Sequence, residues 1–223
     1  YLAWSLVNGH LRRDLHITGF DIQDVLLQPG VVDELKRLIG ASQPDLVTRL
    51  ERAEATLRSV RARRASAADE VELDNVYRTV AGVLADHEQR STGVEAGKLA
   101  FLRMQMLSRV ALVATSVAPL GSSESLETRD AAMAANFNYL MQQRHPGQKV
   151  IVWGHNAHVA KQWPEPQKPR MMGNHLAGTY GTSLYVVGLV MGSGRATNNT
   201  RASYQVAQPH PASLEGAFAG AAV

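Results

Sequence analysis

The sequence predicts an α/β protein with a mainly parallel sheet, flanking helices, and a helical layer or insertion between its strands. Three short apolar runs, at 15–20, 150–153 and 183–190, have the length and the β-branched content of buried strands. Segments with helical spacing of apolar residues separate these runs along the chain. Because strands that alternate with helices usually pair in parallel, we expect one α/β domain over residues 1–223.

The composition is that of an ordinary globular domain. The chain has 223 residues, of which 45% are hydrophobic and 19% charged, and its formal net charge is +3. That length is enough for one core, and no run approaches the about 18 apolar residues that span a bilayer. We therefore expect neither a membrane nor a nucleic-acid partner. The absence of cysteine excludes disulfides, zinc–thiolate sites and a cysteine nucleophile.

The first elements are a helix near Tyr1–Asn8 and a strand, 15–20, that ends at Asp21. A longer helix follows Pro44, which is favoured in a first helical turn. Its apolar stripe has alternating steps of four and three residues and consists of Leu46, Leu50, Ala53, Leu57 and Val60. The arginines Arg58, Arg61, Arg63 and Arg64 lie mostly off this stripe, which indicates a solvated helix face.

Two further helices complete the helical part. One begins after Ser66, a good N-cap with Asp69 three residues later. The next extends from about Leu99 to Val117. We therefore predict that residues 42–118 form a helical layer or insertion within the domain.

The second half of the chain returns to the α/β pattern. A helix with Thr128 as candidate N-cap is expected to stop at His145-Pro146-Gly147, before the strand at 150–153. The apolar run 183–190 is the third predicted strand, and residues 197–211 have the composition of a long polar loop.

The most informative segment is 149–161, because an apolar run there ends in two histidines and an amide, His155, Asn156 and His158. In open α/β sheets, ligands bind at the carboxyl ends of the strands. Asp21 follows another predicted strand, so we expect it to share one crevice with the two histidines.

A neutral imidazole accepts and releases a proton near neutral pH, so His155 or His158 is a candidate base for activating water against an ester carbonyl. Asn156 is expected to donate a hydrogen bond to the oxyanion or to fix one imidazole's tautomer. Asp21 is a candidate for orienting an imidazole by accepting its other N–H.

Two other chemistries fit the residues less well. A metal held by His155 and His158 needs a third ligand, for which Asp21 and His175 are candidates, but there is no HExxH motif. A serine nucleophile would need a G-x-S-x-G turn, which the sequence lacks. We therefore expect no cofactor and no resident metal.

The segment 153–158, WGHNAH, resembles the WxHNxH signature of the erythromycin esterase family, hydrolases that open macrolide lactones. Other stretches resemble further family motifs in the same order. They are Gly19-Phe20-Asp21 (G-x-D), Arg129 to Asn136 (RDxxMAxN), Met172 to Leu176 (MGxxL), Tyr180 to Tyr185 (yG…y) and Ser213-Leu214-Glu215 (S-x-E).

The resemblance implies a bacterial carboxylic-ester hydrolase that acts on a small ester or lactone, with a role in antibiotic resistance and a cytoplasmic location. It also implies functional roles for Arg129 and Asp130, although an acid early in a helix is equally explained by the helix dipole.

One departure from the family pattern affects this expectation. The family's upstream HGxxE motif, whose His and Glu belong to its active site, has no counterpart here. We therefore expect an incomplete domain, lacking chain at both ends, with part of the active site missing. A truncated, inactive remnant or a binding module that keeps the crevice is the alternative.

Overall fold

The computed structural model of the chain describes residues 17–22, 29–60, 66–119, 121–163, 168–189, 193–198, 201–213 and 216–217. This part is mostly helical. Its longer helices are α1 (Pro29–Ile39), α2 (Pro44–Val60), α3 (Ala67–Gln89), α4 (Gly93–Val117) and α5 (Ser123–Tyr139). The shorter elements are a π-helical turn (Leu140–Arg144), α6 (Asn156–Val159), α7 (Met172–Tyr180), a 3₁₀ turn (Gly181–Ser183), β1 (Gly194–Thr197) and β2 (Ser203–Val206).

The predicted α/β class with a mainly parallel sheet is wrong. The sheet of the described residues has two antiparallel strands, β1 and β2, with Gly194 opposite Val206. The sequence predicted no strand at the position of β1, and β2 lies within the predicted polar loop 197–211. The described parts of the three predicted strands, 17–20, 150–153 and 183–189, form no strand.

The cause of this error is visible in the two later runs. Burial alternates along them, with Val152, Leu184 and Val186 partly buried and their neighbours exposed. A strand, however, requires a partner that completes its backbone hydrogen bonds. No backbone–backbone hydrogen bond joins 150–153 or 185–189 to another segment of the described chain.

The helices α1 to α4 share one hydrophobic core. As predicted, α2 begins at Pro44 and buries Leu46, Leu50, Ala53 and Leu57, while the side chain of Val60 lies outside the described residues. Helices α3 and α4 are long and joined by only three residues, and short connections of this kind make neighbouring helices antiparallel. No described helix has the length and apolar character needed to cross a membrane.

Helix caps explain where α3 and α5 begin. Ser66 accepts a hydrogen bond from the Asp69 backbone, and the Asp69 side chain accepts one in return, so the predicted capping box is present. The N-cap of α5 is Ser122, whose side chain accepts from the Ser125 backbone, and not the predicted Thr128. Both residue types are favoured N-caps, and the chain uses the earlier one, directly after Gly121 with its positive φ of 75°.

A buried ion pair crosses the core of the helical part. Arg109 and Glu54 are 0% and 5% exposed, and the Arg109 Nε donates to Glu54 Oε1 over 2.5 Å. The Tyr77 hydroxyl donates to the same oxygen over 3.0 Å, and burial raises the pKa of Tyr77. A buried carboxylate with two donors of this kind links α2, α3 and α4.

A second, smaller core lies under the histidine segment. It is formed by buried residues of α5 and α7: Met133, Ala134, Phe137, Met172 and Leu176. Val152, Val159 and Leu184 pack against it, so the predicted strand segments are held by side chains. This core positions the candidate site. The predicted helix near Tyr1–Asn8 and the arginines Arg61, Arg63 and Arg64 lie outside the described residues.

Candidate functional site

The two histidines and the asparagine lie on the short helix α6 and its N-cap. His155 is the N-cap, and its Nδ1 accepts a hydrogen bond from the Ala157 backbone N–H over 3.1 Å. A neutral imidazole that accepts at Nδ1 carries its proton on Nε2. His155 therefore presents an N–H donor, and its Nε2 has no partner among the described residues.

His158 has the opposite arrangement. Its Nδ1 lies 2.8 and 2.9 Å from the two carboxylate oxygens of Asp130. Because a carboxylate only accepts, the Nδ1 of a neutral His158 carries the proton and Nε2 keeps the lone pair. The His158 side chain is 17% exposed and the Asp130 side chain 0%, so the acceptor is enclosed while the imidazole still reaches the surface.

Asp130 is held by a second donor, the Met172 backbone N–H at 2.7 Å. The carboxylate thus connects α5, α6 and the first residue of α7. A buried carboxylate with two charge-assisted bonds has little freedom to rotate, so it fixes both the tautomer and the orientation of the His158 ring.

The close approach of α6 and α7 depends on a glycine. A Cβ on Gly173 would lie 2.3 Å from the carbonyl oxygens of Val159 and Ala160. Asn174 secures the same junction, because its side chain accepts from the Met171 backbone and donates to the Lys161 carbonyl. All three specified positions of the MGxxL motif therefore have a packing role, Gly173 at this junction and Met172 and Leu176 in the small core.

Asp21, predicted to orient an imidazole, contacts a different partner. It forms an ion pair with Arg129, whose Nη2 and Nε donate over 2.6 and 3.2 Å. The Asn136 side chain, two helical turns along α5, donates to the Phe20 carbonyl and accepts from Ser108. One face of α5 therefore binds Phe20 and Asp21 of the segment 17–22. Asp130, next to Arg129 in the sequence, binds His158.

Asn156 is also engaged. Its Nδ2 donates to the Leu189 carbonyl over 2.6 Å, and its Oδ1 accepts from the Leu189 N–H over 3.1 Å. Its amide thus pairs with the backbone of the run 184–189 as a neighbouring strand would. This arrangement favours a supporting role and not the predicted donation to an oxyanion.

The structure therefore brings four of the six predicted residues into one cluster: His155, Asn156, His158 and Asp130. The ring centroids of His155 and His158 are 6.4 Å apart. Arg129 and Asp21 form a separate pair next to it along α5. The catalytic role of the two histidines and the binding or supporting roles of the other four residues stay predictions.

His175 is the remaining histidine near this cluster. Partial burial lowers the pKa of His175, and the nearby Arg170 lowers it further, against the opposing charge of Asp130. Among the described residues, no group of three or more His, Asp or Glu side chains is arranged to hold a metal ion. Asp21, one of the two candidate third ligands, is paired with Arg129.

Some residues that build the cluster were not identified as such from the sequence. Met172 and Gly173 belong to the MGxxL motif, which the sequence shows. The sequence does not show that the Met172 backbone N–H binds Asp130 or that Gly173 lies against backbone carbonyls. Asn136 closes the RDxxMAxN motif, and its distance of seven residues from Arg129 is the signal that both lie on one helix face.

Comparisons with known proteins identify the family of the chain. The sequence profile of the erythromycin esterase family matches residues 7–223. A Bacillus subtilis protein named "Putative hydrolase YbfO" is 32% identical over 79 residues, which are 32% of this chain and 18% of that protein.

Two solved structures resemble the fold. A crystal structure of a protein from Bacillus cereus superposes with a TM-score of 0.69 at 19% identity, covering 96% of this chain and 55% of that one. A crystal structure of a succinoglycan biosynthesis protein gives a TM-score of 0.66 at 14% identity, covering 93% of this chain and 52% of that one. The chain thus spans about half the length of these two proteins. With a family match over nearly all its residues, the chain belongs to the erythromycin esterase family.

Proposed function

We propose that the protein hydrolyses a carboxylic ester, of the macrolide lactone class, with His158 as the general base that activates water. The observation that supports this proposal is the pair formed by His158 Nδ1 and the enclosed Asp130. It leaves the lone pair of Nε2 available, which is the condition for removing a proton from water.

His158 is the better of the two candidate bases. His155 accepts the Ala157 N–H at Nδ1, so its lone pair is occupied and its Nε2 is a donor. His158 has a carboxylate that stabilises the imidazolium formed when Nε2 takes up a proton, and His155 has none among the described residues.

The reaction then proceeds in two steps. A water oxygen attacks the carbonyl carbon while its proton moves to His158 Nε2, which gives a tetrahedral oxyanion. The intermediate collapses, the bond between carbon and the alcohol oxygen breaks, and His158 returns the proton to the leaving alkoxide. His155 Nε2–H is the donor we assign to the oxyanion, in the place predicted for Asn156.

Hydrolysis of p-nitrophenyl butyrate and of a macrolide lactone tests this mechanism. The protein is assayed as the 223-residue chain and with any upstream coding sequence of its gene restored. His158→Ala should lower kcat about 10²- to 10⁴-fold, the usual contribution of a positioned base. His155→Asn should lower it about 10²- to 10³-fold, as expected for the loss of one oxyanion donor.

The choice of asparagine at 155 separates chemistry from folding. Asparagine is a good N-cap, so the variant keeps the cap of α6 and loses only the imidazole donor. A hydrolysis rate that both variants leave unchanged would refute the site. Absence of hydrolysis in both forms of the parent protein would favour the alternative, a remnant or binding module.

If a macrolide is the substrate, its hydrolysis would inactivate the antibiotic and confer resistance.

A further inference from the structure

Helix α5 presents two carboxylates to residues 168–171, the entry segment that leads into α7. Glu127 Oε1 accepts a hydrogen bond from the Arg170 backbone N–H over 3.0 Å. One turn later in α5, Asp130 Oδ1 accepts one from the Met172 backbone N–H over 2.7 Å. The chain between the two donors is extended, so both N–H groups point to the same side. Residues three apart share one face of a helix, and this face of α5 therefore matches the entry segment.

The Glu127 contact is the outer one of the two. Within the described chain, it is the one hydrogen bond that links residues 168–170 to another element. Glu127 is exposed, whereas the Asp130 side chain is 0% exposed. Glu127 therefore holds the entry segment from the surface, and a substitution there removes no side chain from either hydrophobic core.

The inner contact reaches the proposed base. Asp130 Oδ1 accepts from the Met172 N–H and lies 2.8 Å from His158 Nδ1. The position of Met172 therefore helps to fix how the carboxylate is turned toward the imidazole. Arg170 is only two residues before Met172 in an extended stretch, so an entry segment released at Arg170 can also move the Met172 N–H away from α5.

We propose that Glu127 is a positioning residue, which holds the entry segment on α5 and thereby keeps Asp130 oriented toward His158. The inference rests on the proposed function, because His158 is the base assigned there. The role requires an acceptor oxygen at position 127 and not a negative charge. It predicts an effect on kcat and not on KM, since Glu127 acts on the orientation of the base and not on the substrate.

Two substitutions separate the acceptor oxygen from the charge. Glu127→Gln removes the charge and keeps an oxygen that can accept from the Arg170 N–H, whereas Glu127→Ala removes both. Glu124→Ala is the matched control. Glu124 is likewise exposed and lies one turn earlier on the same helix, and its side chain makes no hydrogen bond or ion pair within the described chain.

The readouts are the hydrolysis of p-nitrophenyl butyrate and the ring signals of His158 in ¹H–¹⁵N NMR spectra, which His158→Ala assigns by their loss. Glu127→Ala should lower kcat about 10-fold, the lower end of the range for residues that orient a functional side chain, with KM unchanged. It should also shift the His158 ring signals. Glu127→Gln should keep kcat and these signals close to those of the parent protein, and Glu124→Ala should change neither.

Equal losses of kcat in the two Glu127 variants would overturn the inference, and so would His158 signals that Glu127→Ala leaves in place. A loss of kcat that matches an unfolded fraction of Glu127→Ala in thermal unfolding would also overturn it, because that role would be structural alone. The NMR readout does not depend on turnover. Shifted His158 signals in Glu127→Ala alone, in a protein that hydrolyses no ester, would contradict only the proposed function, whereas equal hydrolysis by all variants would contradict only the present inference.

Discussion

Asp130→Ala is the substitution that most sharply probes the construction of the site. The Asp130 side chain is enclosed and has two described donors, His158 Nδ1–H and the Met172 N–H. Removing the carboxylate leaves both donors without their acceptor and removes the polar link from α5 to α6 and α7. We expect the fold to be destabilised and the His158 ring to lose its fixed orientation.

The magnitude follows from the two donors. An unsatisfied buried donor costs about 1–3 kcal/mol, and both together cost about 2–6 kcal/mol. The loss of stability is smaller than this sum for two reasons. The partly exposed His158 can form a hydrogen bond with water, and the variant no longer has the desolvation penalty of a buried charge. We therefore expect the free energy of unfolding to fall by about 2–4 kcal/mol.

Urea unfolding followed by circular dichroism measures this loss. Asp21→Ala is the matched control, because it also removes a carboxylate that pairs with a cation, but its side chain is 41% exposed. An exposed ion pair contributes about 0–1 kcal/mol, so the control should change stability little. Equal losses in the two variants would refute the role assigned to Asp130.

Three further predictions concern packing and charge. Gly173→Ala should lower the thermal stability and shift the NMR signals of His158, because its Cβ would lie 2.3 Å from backbone carbonyl oxygens. Gly178→Ala is the control: it has open space around it, so it should leave thermal stability unchanged or raise it. Glu54→Ala should cost about 3–5 kcal/mol in urea unfolding because it breaks a buried ion pair. Tyr77→Phe should cost only about 0.5–1.5 kcal/mol, and similar losses in both variants would argue against the buried pair. Side-chain hydrogen bonds from an arginine and a lysine hold the pKa of Glu34 at about 2, below its ordinary 4.5. The stability from this lowered pKa is present above pH 4.5 and is lost as the pH falls through 2, so Glu34→Gln should flatten the acid side of the stability curve.

The helical half of the fold was predictable because its signals are local. The stripe of α2, the proline at its start and the capping box of α3 depend only on residues within a few positions of each other. Helical hydrogen bonds close within four residues, so such patterns are sufficient to define the element. The start of α5 was misplaced between two residues that are both favoured N-caps. Helix α4 begins at Gly93 and not at about Leu99, and α1 was not predicted.

The sheet was not predictable for the opposite reason. The runs at 150–153 and 184–189 have β-type composition and alternating burial, but a strand is defined by what lies next to it. Among the described residues, side chains of both runs pack against the small core, and the amide of Asn156 binds the backbone of the second run where a neighbouring strand would. Composition cannot show whether such a neighbour exists.

The residues of the candidate site stay a prediction, but the structure shows how they are connected. The sequence identified His155, His158 and Asp130, but it assigned the orienting role to Asp21, which follows a predicted strand. The structure gives that role to Asp130, because its position next to Arg129 on α5 directs the two side chains to different neighbours. Which carboxylate reaches which imidazole depends on how helices pack, and one sequence does not contain that information.

The tautomeric state of the two histidines is the most direct test of the account. It can be read from ¹⁵N chemical shifts in a long-range ¹H–¹⁵N spectrum of the histidine-labelled protein, recorded at a pH where both rings are neutral. The account predicts that His158 carries its proton on Nδ1 and has a lone pair on Nε2, whereas His155 carries its proton on Nε2. A His158 protonated on Nε2 would contradict both its pairing with Asp130 and its role as the base.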